Sequence, residues 1–276
     1  MGRKGRMPRG VGSFLIGFLA FVPAAAATEL AATRPSSSDW TFTLGVEGGV
    51  WPSYDGSNRS RIIPFPIFDA RRAGTPRQFR ARLDGASVGI VETGAFRLGP
   101  TAKIKLPRRE SDDLDLRGLG DIGWAVEIGG FAEYWPVQWL RTRAELRQGF
   151  GGHHGIVTEL TSDLVAPVTP KLMLSGGPRM TIASGAAMSP YFSITPAQSV
   201  ASGLPVFDAR GGVRSYGAGA QARYEWSQQW ASHLFVEYER LTASAADSPL
   251  VSLRGSRDQV SIGIGLSYSF DSRGIW

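Results

Sequence analysis

Nucleophilic catalysis needs a serine or cysteine beside a histidine that a third group orients. This chain offers three histidines, His153, His154 and His233, and no cysteine. His233 is followed by Leu234 and Phe235, so the His-x-Ser pattern of membrane lipid hydrolases is missing; Glu237 and Glu239 fall on its alternation, which places it in a charge cluster. His153 and His154 sit in a glycine-rich stretch, Gly149 to Gly155, which reads as a solvated loop. Asp112, Asp113 and Asp115 lack the glycine and distal glutamate of a calcium loop. Phosphate-loop and zinc-ligand spacings are absent, so no catalytic, cofactor or metal residues are expected.

Charges recur instead at every second position of long segments. Arg97 and Lys103 alternate with Phe96, Leu98, Ala102 and Ile104; Arg141, Arg143, Glu145 and Arg147 alternate with Leu140, Ala144 and Leu146. Glu47, Glu127, Arg179, Arg223, Glu225 and Glu237 repeat the pattern. A period of two puts successive side chains on opposite faces of a β-strand. These segments therefore predict strands with a charged face and an apolar one.

The clearest strand is the last, Gln259 to Phe270. Val260, Ile262, Ile264, Leu266, Tyr268 and Phe270 take one face, with serine, glycine and Gln259 on the other. Twelve residues exceed an average soluble strand and cover the roughly 9–11 that a tilted strand needs to cross a bilayer. Similar segments are predicted over 41–50, 61–71, 77–83, 87–91, 95–105, 121–134, 139–148, 156–166, 171–183, 213–226 and 230–241. That gives twelve strands, or ten if the pair around 77–91 does not span. Pro64 and Pro66 predict an irregular second strand, and Gly129-Gly130 marks a candidate bulge.

The N-terminus has its own logic. Arg3, Lys4, Arg6 and Arg9 precede an apolar run from Val11 to Val22, then Pro23 and Ala24 to Ala27. A basic region, an apolar core and small residues at a cleavage site predict a secretory signal peptide over 1–27, a linker over 28–39 and one β domain over 40–276. Cleavage removes four cations and no acids from a formal charge of +6, so the basic balance gives no argument for nucleic acid. No other stretch is apolar for about 18 residues, so the remaining chain predicts no transmembrane helix.

Connections alternate in length. Those at 135–139, 167–170 and 226–230 are short; those at 106–120, 149–155, 184–212 and 242–258 are generally longer. Outer-membrane barrels have short periplasmic turns and long extracellular loops. Trp135 and Trp139, and Trp226 and Trp230, bracket two short turns at the same spacing and are expected at the membrane–water interface. In hydrocarbon every backbone amide must find a partner within the protein, so a spanning sheet has to close. The expected fold is an all-β, closed antiparallel transmembrane barrel in a Gram-negative outer membrane. Its charged faces point to the lumen, because a lipid-facing arginine near the midplane costs roughly 2–4 kcal/mol.

The run from Leu44 through Glu47, Trp51-Pro52, Tyr54, Gly56 and Ser57 to Arg61, Pro64, Pro66 and Asp69 resembles the N-terminal signature of the MipA/OmpV family of outer-membrane proteins. Ala70 departs from it, standing where an aromatic is expected. Ser261, Gly263, Leu266, Tyr268 and Phe270 resemble the terminal signal that barrel assembly machinery reads, although Asp271 to Trp276 extend beyond it. The resemblance implies a barrel in contact with outer-membrane lipid and brings no catalytic residues. It also implies a scaffold between a lytic transglycosylase and a peptidoglycan synthase, or a role in uptake or adhesion. Three functions follow: a non-enzymatic scaffold, a narrow channel for small solutes, and a lipid hydrolase resting on His233 alone.

Overall fold

A computed structural model describes residues 40–75 and 77–272. The expected signal peptide and linker, residues 1–39, and the end of the C-terminal extension, residues 273–276, lie outside the described residues. One antiparallel sheet holds twelve strands: β1 (Trp40–Pro52), β2 (Ser60–Arg72), β3 (Ala86–Ser87), β4 (Val91–Thr93), β5 (Phe96–Lys105), β6 (Ala125–Val137), β7 (Leu140–Gly151), β8 (Ile156–Pro167), β9 (Leu172–Ala183), β10 (Gly212–Glu225), β11 (Trp230–Leu241) and β12 (Asp258–Ser272). From β5 to β12 each strand pairs with the next, and β12 then pairs with β1, placing Phe42 opposite Phe270. The order runs β2-β1-β12 and on round to β5-β3, with β4 also on β5; no ladder joins β2 to β3, β4 or β5 among the described residues.

Burial is inverted relative to a water-soluble sheet. On β12 Val260, Ile262, Ile264, Leu266, Tyr268 and Phe270 are exposed, whereas Gln259, Ser267 and Ser269 are buried. On β7 Leu146 is exposed and Arg141, Arg143, Glu145 and Arg147 are buried. A soluble protein rarely exposes so large a continuous apolar surface, which marks contact with lipid or another apolar medium. The sheet is curved enough for the inner faces of distant strands to meet: Lys103 on β5 reaches Glu159 on β8 at 2.9 Å.

Four expectations are corrected. Residues 77–83 form no strand; residues 77–85 run as an irregular segment along the inner face, and the expected strand at 87–91 is broken into β3 and β4. The total is still twelve because one expected strand is lost and another is split. Second, β2 is a regular strand of 13 residues in unbroken register with β1. Among the described residues it has a partner on one edge only, so Pro64 and Pro66 cost it no ladder bonds. Third, Gly129 and Gly130 keep register with both neighbours, and the irregularity lies between Tyr134 and Val137; a Cβ on Gly129 would collide with the Leu146 carbonyl, so close backbone approach explains that glycine. Fourth, β6 begins at Ala125 rather than 121, because Ile122 is held in a separate bridge to Arg108.

The connections after β1, β5, β7, β9 and β11 emerge at one end and carry the molecule's apolar core, whereas the connection from Arg72 to Ala86 starts from the other end. They hold 3-10 turns at Glu110–Asp112 and Leu114–Leu116 and four short helices: α1 (Gly185–Phe192), α2 (Pro196–Ser202), α3 (Ala243–Asp247) and α4 (Pro249–Ser252). Met188, Tyr191 and Phe192 of α1 pack with Ala245, Ala246, Val251 and Ile122; Leu116, Leu119, Ile194, Leu204 and Leu250 pack with Tyr54. Phe207 touches both clusters. The loops are thus a folded lid across one end of the sheet.

Candidate functional site

The inner face is a continuous ion-pair network. Arg141, whose side chain is 1% exposed, meets Asp84 at 2.6 Å, Glu133 at 2.9 Å and Asp163 at 3.1 Å. Arg143 shares Glu133 at 3.1 Å, meets Glu145 at 2.7 Å and stacks on Phe131 at 3.9 Å. Arg147 joins Glu127 at 2.9 Å, Glu159 at 3.0 Å and Glu145. Arg97 reaches Glu133 at 3.0 Å, and Arg179 reaches Asp163 at 2.7 Å and Glu237 at 3.9 Å. A charge cut off from water is sustained only when paired and hydrogen-bonded, and the alternation of β5 to β9 supplies both signs at matching heights.

The irregular segment 77–85 is threaded through this network. Arg80 meets Asp69 at 3.1 Å, Arg82 meets Glu47 at 3.1 Å, and Asp84 meets Arg141. The Leu83 carbonyl accepts from Lys103 Nζ at 3.0 Å, and the Gly85 N–H donates to Glu145 Oε1 at 3.1 Å. A segment with no ladder of its own thus has its polar groups satisfied by side chains of β1, β2, β5 and β7. Beside it lies a cavity of about 920 Å³.

The loop after β1 ties the sheet to the lid. Tyr54 is buried, the Gly56 N–H donates to Gln259 Oε1 at 3.1 Å, and its carbonyl accepts from the Ser256 N–H at 2.8 Å. Gly56 has φ +98, a conformation that suits glycine. Asp55 meets Lys105 at 2.6 Å while its side chain, at the cavity wall, stays 39% exposed. Partial desolvation at the cavity wall pushes the Asp55 carboxyl up, but Lys105, Arg214 and Arg108 outweigh it and hold the group below the ordinary carboxylate value. Burial, with Asp55 and Glu127 nearby, raises the Tyr191 phenol. Lys105 Nζ sits 3.9 Å over that ring.

Two of the histidines are paired with glutamates. His233 Nε2 lies 2.7 Å from Glu47 Oε2, and among the described residues no serine hydroxyl is bonded to its ring. His153 is buried, correcting the expectation of a solvated loop: its Nε2 is 3.1 Å from Glu127 Oε1 and its Nδ1 accepts from the Gly155 N–H at 3.3 Å. His154 is exposed. Asp113 and Asp115 pair with Arg59 at 2.6 and 3.4 Å, and Asp112 with Arg61 at 3.4 Å. Among the described residues no group of three His, Asp or Glu side chains is arranged to hold a metal.

Of the residues singled out from sequence, Glu47, Glu127, Arg141, Arg143, Glu145, Arg147, Arg223 and Glu237 are buried; Arg97, Lys103, Arg179 and Glu225 are half-buried. Trp139, Trp226 and Trp230 are exposed on the outside. Trp135 is not: its Nε1 donates to Glu133 Oε1 at 2.9 Å and its ring meets Phe79 edge-on at 6.1 Å. An odd number on β6 faces inward, and the shared spacing of the two tryptophan pairs concealed that. Leu266, Tyr268 and Phe270 face outward, Gly263 is buried, and Ser261 is half-buried. Sequence reasoning missed Asp84, Glu133 and Asp163; Glu133 and Asp163 carry the same alternation signal, while Asp84 lies in a segment whose path no periodicity describes.

The family model described as MltA-interacting protein MipA matches residues 44–270. Similar solved structures include an outer-membrane channel from Pseudomonas putida F1 at 8% identity, covering 86% of this chain and 97% of that one with a TM-score of 0.45. The NanC porin is also 8% identical, covering 82% and 98%, TM-score 0.43. In-vitro folded OmpT of Vibrio cholerae is 9% identical, covering 87% and 100%, TM-score 0.36. No curated protein matches the chain in sequence.

Proposed function

The chain belongs to the MipA family, a family of outer-membrane proteins, and from that premise we propose that it is a non-enzymatic barrel that holds a peptidoglycan-remodelling enzyme on its periplasmic side. The observation that carries the non-enzymatic part is the inner face. Its histidines and acids are committed to one another, and Arg141 is closed in by three carboxylates. The family's description as MltA-interacting supports a lytic transglycosylase as partner. In this reading residues 1–27 are removed on export, the loop lid faces outward from the cell, and the short turns face the periplasm. In the membrane the curved sheet wraps round until β2 and β5 border the same cavity, with no ladder between them among the described residues. Pro66 and Phe68 of β2 and Ile104 of β5 all line that cavity, which supports the wrap.

Capture from detergent-solubilised envelopes with the tagged protein tests the partner. A lytic transglycosylase in the eluate, absent from a mock column, is the expected result, and an eluate without any murein enzyme overturns it. An open channel is the competing function. The ion-paired inner segment and the folded lid favour a barrel that does not conduct, and steady conductance in planar bilayers would reverse that preference.

A further inference from the structure

Among the described residues no strand joins β2 to the β3–β5 edge, and the segment that alternation assigns there, residues 77–83, lies inside. The free edge is kept free by sequence: Pro64 and Pro66 have no N–H to offer a neighbour. The cavity reaches that gap. Phe65 and Ile67 from the inner face of β2 line it, and so do Pro66 and Phe68 from the outer face of the same strand, with Ile104 from the outer face of β5. A space bounded by both faces of a strand passes beside that strand. Phe68 and Ile104 are each 65% exposed on the apolar exterior, so the opening is bordered by greasy side chains.

Inside, the wall is of two kinds. Phe65, Ile67, Leu83 and Leu106 give an apolar surface. Toward the short-turn end, Arg223 has a side chain only 10% exposed; its Nη2 makes no hydrogen bond, and its Nε is 3.6 Å from Glu225. Arg77 stands within electrostatic reach of Arg223 and forms no hydrogen bond or close ion pair among the described residues. Arg141, Arg143, Arg147 and Arg179 each have a carboxylate close by, at 2.6, 2.7, 2.9 and 2.7 Å, whereas Arg223 has only Glu225 at 3.6 Å among the described residues; a buried guanidinium so loosely paired marks a place for an anion that arrives from outside the chain. The 920 Å³ volume lies within the roughly 300–1,000 Å³ of pockets that enclose small molecules.

We propose that the gap beside β2 is a lateral portal through which an acyl-chain lipid of the surrounding membrane, with a phosphate headgroup, enters the cavity and pairs that phosphate with Arg223 and Arg77. The apolar exterior at the gap admits the chain without exposing it to water, and the inner β2 wall receives it. This goes beyond the scaffold reading and does not depend on it: lipid can occupy the cavity whether or not a murein enzyme is captured.

The test uses the mature protein in vesicles of zwitterionic phosphatidylcholine carrying phosphatidylglycerol with a photoreactive group near its chain end. Irradiation followed by peptide mapping is expected to place adducts on the inward residues Phe65, Ile67 and Leu106, as well as on outward residues of every strand. In Arg223→Gln the inward adducts fall at least tenfold while the outward ones stay, and Arg77→Gln, at an exposed position, gives the same loss should the first variant not fold. Heat-modifiable gel migration certifies folding in each case. Adducts confined to outward residues overturn the portal. Inward adducts that persist unchanged in both variants overturn the phosphate assignment. Loss of inward adducts on adding millimolar inorganic phosphate is expected, because the free anion competes for the same guanidinium groups.

Discussion

Removing Arg141 is the sharpest probe of the inner network. Arg141→Met keeps the length of the side chain and deletes the charge shared by Asp84, Glu133 and Asp163. The three carboxylates are not equally orphaned. Glu133 keeps Arg97 at 3.0 Å and Arg143 at 3.1 Å, and Asp163 keeps Arg179 at 2.7 Å. Asp84 is left with Arg143 at 3.8 Å and the Ala81 N–H at 2.9 Å. Breaking a buried pair by deleting one partner costs about 3–5 kcal/mol, because the other charge stays buried and uncompensated. With a urea slope of about 2 kcal/mol per molar, the unfolding midpoint in lipid vesicles falls by about 1.5–2.5 M. Asp84→Asn in the same background removes the stranded charge and recovers a coupling of about 1–3 kcal/mol. Tryptophan fluorescence and heat-modifiable migration follow both transitions. A midpoint for Arg141→Met within about 0.3 M of the parent, or no recovery in the double variant, refutes the claim that segment 77–85 is held by charge pairing.

Three further expectations concern the lid and the exterior. Gly56→Ala puts a methyl group against Val251 at a φ of +98; it costs about 1–3 kcal/mol and shows as faster protease nicking of the loops while the strands stay protected. Asp55 is held below its ordinary carboxylate value in the folded protein. Its contribution is therefore complete above about pH 4 and fades as pH falls from there toward the depressed value. The gap in urea midpoint between the parent and Asp55→Asn should be widest near neutral pH and shrink below pH 4; a gap that widens in acid contradicts the sign. Single-tryptophan variants in brominated lipid should show quenching of Trp139, Trp226 and Trp230 and little for Trp135, and equal quenching of all four would place Trp135 outside.

Most of the strands were legible because their physics is local. Alternation over β5 to β12 is a property of neighbouring residues, and Arg141, Arg143, Glu145 and Arg147 announce their shared face without knowledge of their partners. What was not legible depends on distant groups. Residues 77–83 alternate as well as a true strand does. Their inward path is decided by Glu47, Asp69, Lys103 and Arg141, which lie on four different strands. The lid was read as loop because proline, serine and glycine dominate it; the apolar residues that form its core come from separate connections and make no periodic signal. His153 shows the same limit, since its glycine-rich neighbours signify solvent until Glu127 and Tyr191 are placed beside it.

The ladder between β1 and β12 fixes the sequence of events in assembly. Thr41 bonds Asp271 across 230 residues of chain, and Thr43 bonds Ser269 across 226. A contact that remote costs the most loop entropy and forms late. Synthesis must be finished before β1 acquires its second neighbour, so that strand waits with one edge bare while every intervening pair of consecutive strands, each closer in sequence than β1 is to β12, zips up. Any catalyst that grips the terminal strand during insertion therefore also governs when this last ladder forms, and letting go becomes the step that commits the chain.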